Sequence, residues 1–393
     1  MIAFTYGTTG ELIKLAPVLR RLRERRAAVL GLCTGQQVEQ IPSMLADFDL
    51  PEPDLWLARG VAGSDLERPR EIPGWFARVS LNCSRNGRAI ARRLRDSDAE
   101  PLMIVHGDTF TTVIGAALGR LLRVPVAHIE AGMRSGDLRN PFPEELNRRA
   151  TAKLARIHFA PGRRAVENLR SEQVRGEIVD TGRNTISDNL RDVTTGAAPD
   201  IDIPDALFGL VSLHRFELLS NRDALSKILT VLRESAAGRA PLLFVDHPIT
   251  AAAVDSAGLS RLFDSDRFVR IPRQRYFRFL SLLKVSSFLV TDSGGSQEEC
   301  AFMGHPCLVH RAVTEHDTGL DGSVVLSRMN IETVRRFLDD PERYRCEPAP
   351  LAESPSEQIV RHLEKGGFLT GGYVGPSDEG DGAPLTPGRT TRG

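Results

Sequence analysis

LMIVHGDTFTTVIGAALGRLLRVPVAHIE, residues 102–130, decides the fold class. It opens on a short apolar run, LMIVHG, that reads as a buried strand. DTFTTVIGAALGRLL follows with apolar residues at helical spacing, and VPVAHIE closes the stretch as a second β-rich run. Strand, helix and strand joined by such short connections form a βαβ unit with parallel strands. The same rhythm extends outward. MIAFTY precedes a Gly-Thr turn and ELIKLAPVLRRLRER, AAVLGLCT precedes QQVEQIPSMLADF, and ARIHFA precedes GRRAVENLRSE. It pauses in RDVTTGAAPDIDIPDA (191–206), a polar, Pro-containing stretch that reads as an interdomain linker. It then resumes through LFGLVSL, a helix around Asp223–Ala236, APLLFVDH, RFVRIP, YFRFLSLLKVS, SSFLVTDS and a helix from Ser296. The pattern predicts an α/β protein of two doubly wound parallel-sheet domains, residues 1–190 and 191–365. The Gly/Pro-rich remainder, residues 366–393, is expected to be a disordered tail.

Composition narrows the function. A chain of 393 residues is comfortable for two cores. Its 51 basic residues match 51 acidic ones, so no global field would recruit nucleic acid or an anionic membrane. The five cysteines are odd in number and lack CxxC spacing, which favours free thiols in a reducing cytoplasm over disulfides or a zinc site. No apolar run approaches the length of a membrane span, and the first residues turn polar too quickly for a signal peptide.

In open parallel sheets ligands bind beyond the carboxyl ends of the strands. Five such ends carry chemistry here. GTTGELIK follows the first strand, where helix amides attract phosphate or carboxylate and Lys14 adds a positive charge; it can equally be only a turn. LMIVHGD ends on Asp108, which is either a helix cap or an acid, and VPVAHIE ends on Glu130. Beyond Pro143, Glu144 and Glu145 suit an ordinary helix first turn. Gathered in one cleft, these carboxylates would have pKa values pushed apart, giving a proton donor and an acceptor from one residue type. His214, at the end of GLVSLH, could bind a phosphate, transfer a proton or be structural. In SFLVTDSGGSQEEC, Ser293, Gly294 and Gly295 form an anion nest at a helix N-terminus, suited to a diphosphate. Glu298 and Glu299 would face a ribose diol or merely complement the helix dipole.

The ordered series GTTGELIKLAPV, TGQQVE, HGDTFTT, VPVAHIEAGMRSGDLRNPFPEELNRR, HFAPGRRAVENL, TGRNTISDNL, HRFE, TDSGGSQEE and GHPCLVHRAVTE resembles the UDP-N-acetylglucosamine 2-epimerases, specifically the non-hydrolysing bacterial branch, from about residue 1 to 330. The resemblance implies a GT-B-like pair of Rossmann-like domains with a UDP-sugar in the interdomain cleft. It implies inversion at C2 by loss of the C2 proton and of UDP, then return of both. No metal or redox cofactor is implied, and family members are commonly homodimers. The family's acids fall on Asp108, Glu130 and Glu144, its lysine on Lys14 and its phosphate-contacting histidine on His214. Its nucleotide positions fall on Ser293, Gly294, Gly295 and Glu299, with Phe279 beside the uracil.

The chain also departs from that pattern. Thr9 stands where an arginine is usual, Leu218 where asparagine is usual, and Asp246–Thr250 and Thr314–Thr318 depart from the family's histidine-and-NP and TERPE segments. The stretch Ser64–Arg78 lacks the QTL element. Several of these positions border the activating second UDP-GlcNAc of the usual enzymes, so activation by substrate is not expected. Arg215 and Arg311 are the candidates to compensate for the missing arginine. Three rivals follow: a hydrolysing relative releasing UDP and N-acetylmannosamine, a glycosyltransferase on the same architecture, and a binding protein that has lost turnover.

Overall fold

The computed structural model describes residues 1–61, 63–66, 69–137, 142–192, 207–264, 266–320, 322–349 and 353–369. The chain divides into two compact units, residues 1–188 with the C-terminal segment from 353, and residues 189–352. The expected linker core, residues 193–206, and the expected tail beyond residue 369 lie outside the described residues.

The first unit is built on seven strands: β1 (Ile2–Tyr6), β2 (Val29–Cys33), β3 (Leu55–Trp56), β4 (Leu102–His106), β5 (Val126–Ile129), β6 (Ile157–Ala160) and β7 (Glu177–Asp180). Every pairing is parallel and the order is β3-β2-β1-β4-β5-β6-β7, so the direction of winding reverses between β1 and β4. Strands β1, β4 and β5 are buried along their whole length. That is why their sequences are continuous apolar runs rather than alternations. Helix Phe110–Leu121 seats closely on this sheet because a Cβ at Gly119 would lie 2.6 Å from Val126 Cγ2.

The second unit repeats the scheme with β8 (Gly209–Ser212), β9 (Leu242–Asp246), β10 (Phe268–Pro272), β11 (Phe288–Thr291), β12 (Cys307–Val309) and β13 (Val324–Leu326). Its order is β10-β9-β8-β11-β12-β13, again all parallel, with the reversal between β8 and β11. Leu229, Leu232, Phe244, Phe268, Val290 and Phe337 anchor its core.

Two features depart from expectation. Helix Ile72–Arg95 occupies a stretch assigned no element, although Trp75, Val79, Cys83, Ile90 and Leu94 form its buried stripe. The Trp75 indole also donates to the Thr34 carbonyl at 2.8 Å. Second, helix Pro355–Lys365 belongs to the first unit, not to the second as its place in the chain suggested. It packs on helix Thr9–Glu24, burying Ile359, Val360 and Leu363. Its N-terminal serines bind buried Asp188, with the Ser354 hydroxyl at 2.9 Å and the Ser356 amide at 3.0 Å. An apolar helix face goes where an unfilled partner face lies, whatever the order in sequence.

Candidate active site

Both reversal points carry the residues singled out above, each within its own unit. In the first, Glu130 ends β5 with φ at +66°, the left-handed region, and is 8 % exposed. For a non-glycine residue that backbone costs roughly 1–2 kcal/mol, and such strain concentrates at functional positions. The next amide, Ala131, donates to the Phe159 carbonyl at 3.0 Å and holds the turn. Glu130 Oε2 accepts from the Lys14 ammonium and from the Asn184 side-chain amide, with His106 Nε2 3.5 Å away. Two donors, one of them a cation, are what a buried anionic carboxylate requires. Lys14 is itself tethered, because Thr185 donates to its carbonyl at 2.6 Å.

Lys14 therefore serves Glu130, and the GTTGE turn is not an open anion site. The amides of Gly7 and Thr8 both donate to Glu11 Oε2 at 2.9 Å, and the Thr9 amide donates to Gln37 Oε1 at 2.7 Å. Burial pushes the Glu11 carboxyl up against the opposing pull of these donors and of Thr109, which donates to it at 2.7 Å. Glu11 thereby ties the two loops at the reversal point together.

Asp108 is not a helix cap. Thr109 takes that position, accepting from the Thr112 amide at 3.3 Å, which leaves the Asp108 carboxylate to pair with the Arg148 guanidinium. Arg148 also meets Glu145 at 3.4 Å, so Asp108 is fastened to the helix that begins at Glu144. Glu145 fits the ordinary structural reading: fully buried, it faces Arg134, Arg148 and Arg149. Glu144, half-buried, heads the same helix. Lys14 and Glu130 are thus in direct contact, and Asp108 is joined to the Glu144 helix through Arg148.

At the second reversal point Asp292, buried at the end of β11, accepts from the His214 amide at 3.0 Å and from the Arg215 amide at 2.8 Å. The His214 ring lies 4.7 Å from that of His247, whose Nε2 is 3.1 Å from the Ser212 hydroxyl. Burial lowers both histidines. Asp292 partly opposes this at His214, while His247 falls to about 3. Burial thus disfavours the charged imidazolium at His214.

Helix Gly294–Met303 starts beside it, capped by the Ser293 hydroxyl, which accepts from the Ser296 amide at 3.4 Å. Ser293, Gly294 and Gly295 thus form the helix head at the strand end. Both acids behind them have partners: His316 lies 3.2 Å from Glu298, and Glu299 accepts from the Tyr276 hydroxyl at 2.8 Å. Phe279 is half-buried on helix Tyr276–Val285, one turn beyond that tyrosine.

Sequence reasoning missed His106, Asn184, Asp292, Tyr276 and His316. The quoted segments HGDT, TGRNTI and TDSGG contained three of them, but nothing local assigns Asn184 to a carboxylate 54 residues earlier. Among the described residues, no group of three or more His, Cys, Asp and Glu side chains could hold a metal ion.

Comparison with known proteins accords with this geometry. The family model described as UDP-N-acetylglucosamine 2-epimerase matches residues 89–349. The chain is 31% identical over 358 residues to the UDP-N-acetylglucosamine 2-epimerase of Yersinia pestis, covering 86% of this chain and 90% of that one. It is similar to the UDP co-structure of S. aureus MnaA, with 28% identity, a TM-score of 0.75 and coverage of 96% and 99% of the two chains. It is likewise similar to the Methanocaldococcus jannaschii UDP-GlcNAc 2-epimerase solved with UDP-GlcNAc and UDP, at 27% identity and TM-score 0.75, covering 93% and 98%.

Proposed function

The chain belongs to the UDP-N-acetylglucosamine 2-epimerase family, and on that premise we propose how its residues divide the work of inverting C2 of a UDP-sugar. It is an isomerase of the UDP-GlcNAc 2-epimerase type. Glu130 takes the C2 proton as the C1–oxygen bond breaks and UDP departs with the bonding pair. A second group, for which Glu144 and Asp108 are the candidates, delivers a proton to the opposite face of C2 as UDP re-adds at C1. Lys14 and Asn184 hold Glu130 aimed. A positioned acid or base contributes about 10²–10⁴-fold, so stabilisation of the departing UDP must supply much of the remainder. His214 and the turn Ser293–Gly295 take the diphosphate, Glu299 the ribose, and Phe279 flanks the uracil. The observation that carries this reading is the left-handed, Lys14-paired Glu130 at the end of β5.

A cytoplasmic homodimer needing no metal or redox cofactor completes the proposal. No helix among the described residues is long and apolar enough to cross a membrane, and all five cysteines are free. The hydrolysing outcome is favoured by one observation: the first turn presents Thr9, bonded to Gln37, where the family pattern has an arginine for the phosphates. Proton NMR of UDP-GlcNAc with the protein in D₂O separates the two. UDP-ManNAc carrying deuterium at C2 supports reversible epimerisation, UDP plus free ManNAc the hydrolysing route, and absence of both refutes the assignment.

A further inference from the structure

We propose that His316 is a positioning residue for the nucleotide, its imidazolium neutralising the acids at the head of helix Gly294–Met303; this rests on the assignment of the diphosphate to that helix head. The ring is 3 % exposed. Its Nδ1 lies 3.2 Å from Glu298 Oε1 on the helix, and its Nε2 lies 3.5 Å from Glu315 Oε1 in the loop after β12. A Cβ at position 294 would come within 2.5 Å of the same Nε2, so the imidazole is pressed against the turn that glycine leaves open. The surrounding loop is fastened to the helix by Gln297. Its side-chain amide donates to the His316 carbonyl at 3.0 Å, and its Oε1 accepts from Thr314 at 2.8 Å.

The charges around the ring determine what its proton does. Glu298 and Glu315 face it from two different segments, and both are buried. Arg311 meets Glu315 at 3.0 Å, Arg215 stands 4.0 Å from Glu315, and neighbouring Asp317 is exposed. With the imidazolium in place, an arriving diphosphate meets a neutralised cluster and an unopposed helix N-terminus. Without that proton the cluster has one cation fewer. Two buried carboxylates then repel each other, the helix head and the ligand. Burial alone would lower the histidine, but the two acids outweigh it and raise its pKa to about 9. The proton is therefore present at neutrality and leaves in alkaline solution.

The test is isothermal titration calorimetry of UDP with the full chain, from neutrality to about pH 10, spanning the titration of such a perturbed histidine. Wild type is compared with His316→Gln, which is neutral throughout, and His316→Arg, which is charged throughout. The wild type should bind UDP about tenfold or more tightly than His316→Gln at neutrality, the size of one charge-assisted contact. That ratio should shrink toward one as the pH passes about 9. His316→Arg, where it melts as a folded protein, should keep its advantage over His316→Gln across the range. The uracil titrates identically in every protein, so it cancels from these ratios. A wild-type to His316→Gln ratio near one at neutrality, or one that stays constant with pH, overturns the proposal while leaving the nucleotide site intact. No UDP binding by wild type at neutrality removes the diphosphate assignment and this inference with it.

Discussion

At the scale of single residues the first unit is organised around one carboxylate. Glu130 has a backbone that resists its own side chain and three neighbours on that side chain from three separate segments. Replacing Glu130 by Gln keeps the shape and removes the proton acceptor, so kcat should fall about 10²–10⁴-fold, with UDP affinity by calorimetry little changed. Normal turnover by that variant would refute the role. Asn184→Ala tests the positioning. Loss of its bond to Glu130 should lower kcat by about tenfold or more, while KM and UDP affinity stay near wild type. His316 makes a stability prediction as well. Its folded pKa, about 9, exceeds the ordinary 6.5, so its stabilisation is complete below about 6.5 and is lost as pH rises through about 9. Melting temperatures of wild type and His316→Gln should accordingly converge above about pH 9.

At the scale of elements, turn chemistry decides which side chains are free to act. The capping boxes of helices Thr9–Glu24 and Phe110–Leu121 absorb Thr8, Glu11, Thr109 and Thr112, which releases Asp108 for Arg148. The Thr8-x-x-Glu11 spacing is a local capping-box signal that the sequence reading did not use. The C-terminal helix is the clearest element-level surprise, and it can be tested by itself. Leu363 is fully buried where that helix docks, so Leu363→Ala should cost about 2–5 kcal/mol and lower the melting temperature. Because the residues proposed to bind the nucleotide lie in the other unit, UDP affinity at a temperature well below the melt should not follow. Equal loss of both would mean that the helix supports the site as well as the fold.

At the scale of the whole molecule, several histidines are buried without the proton. Burial lowers His128 and His247 to about 3, and His305 and His310 to about 4. In the unfolded chain each takes up a proton near 6.5, so between that value and the folded pKa the unfolded state binds more protons. Each such group contributes stability that is complete above about 6.5 and declines as the pH falls toward its folded value. A calorimetric series should show the melting temperature dropping steeply below about pH 6, and a flat acid limb would contradict those neutral assignments.

What the sequence by itself determined is the βα alternation, the two parallel sheets and the strand ends at which Asp108, Glu130, His214 and Ser293 sit. Those features follow from local periodicity, which a linear reading can see, and from the rule that ligands gather beyond the carboxyl ends of parallel strands. Only the tertiary structure decided which neighbour each charged group has. Lys14 meets Glu130, Glu298 meets His316, and the last described helix returns to the first unit. These partnerships join residues far apart in the chain. A buried charge takes whichever complementary group the packed sheets and helices bring within reach, and no local pattern encodes that choice.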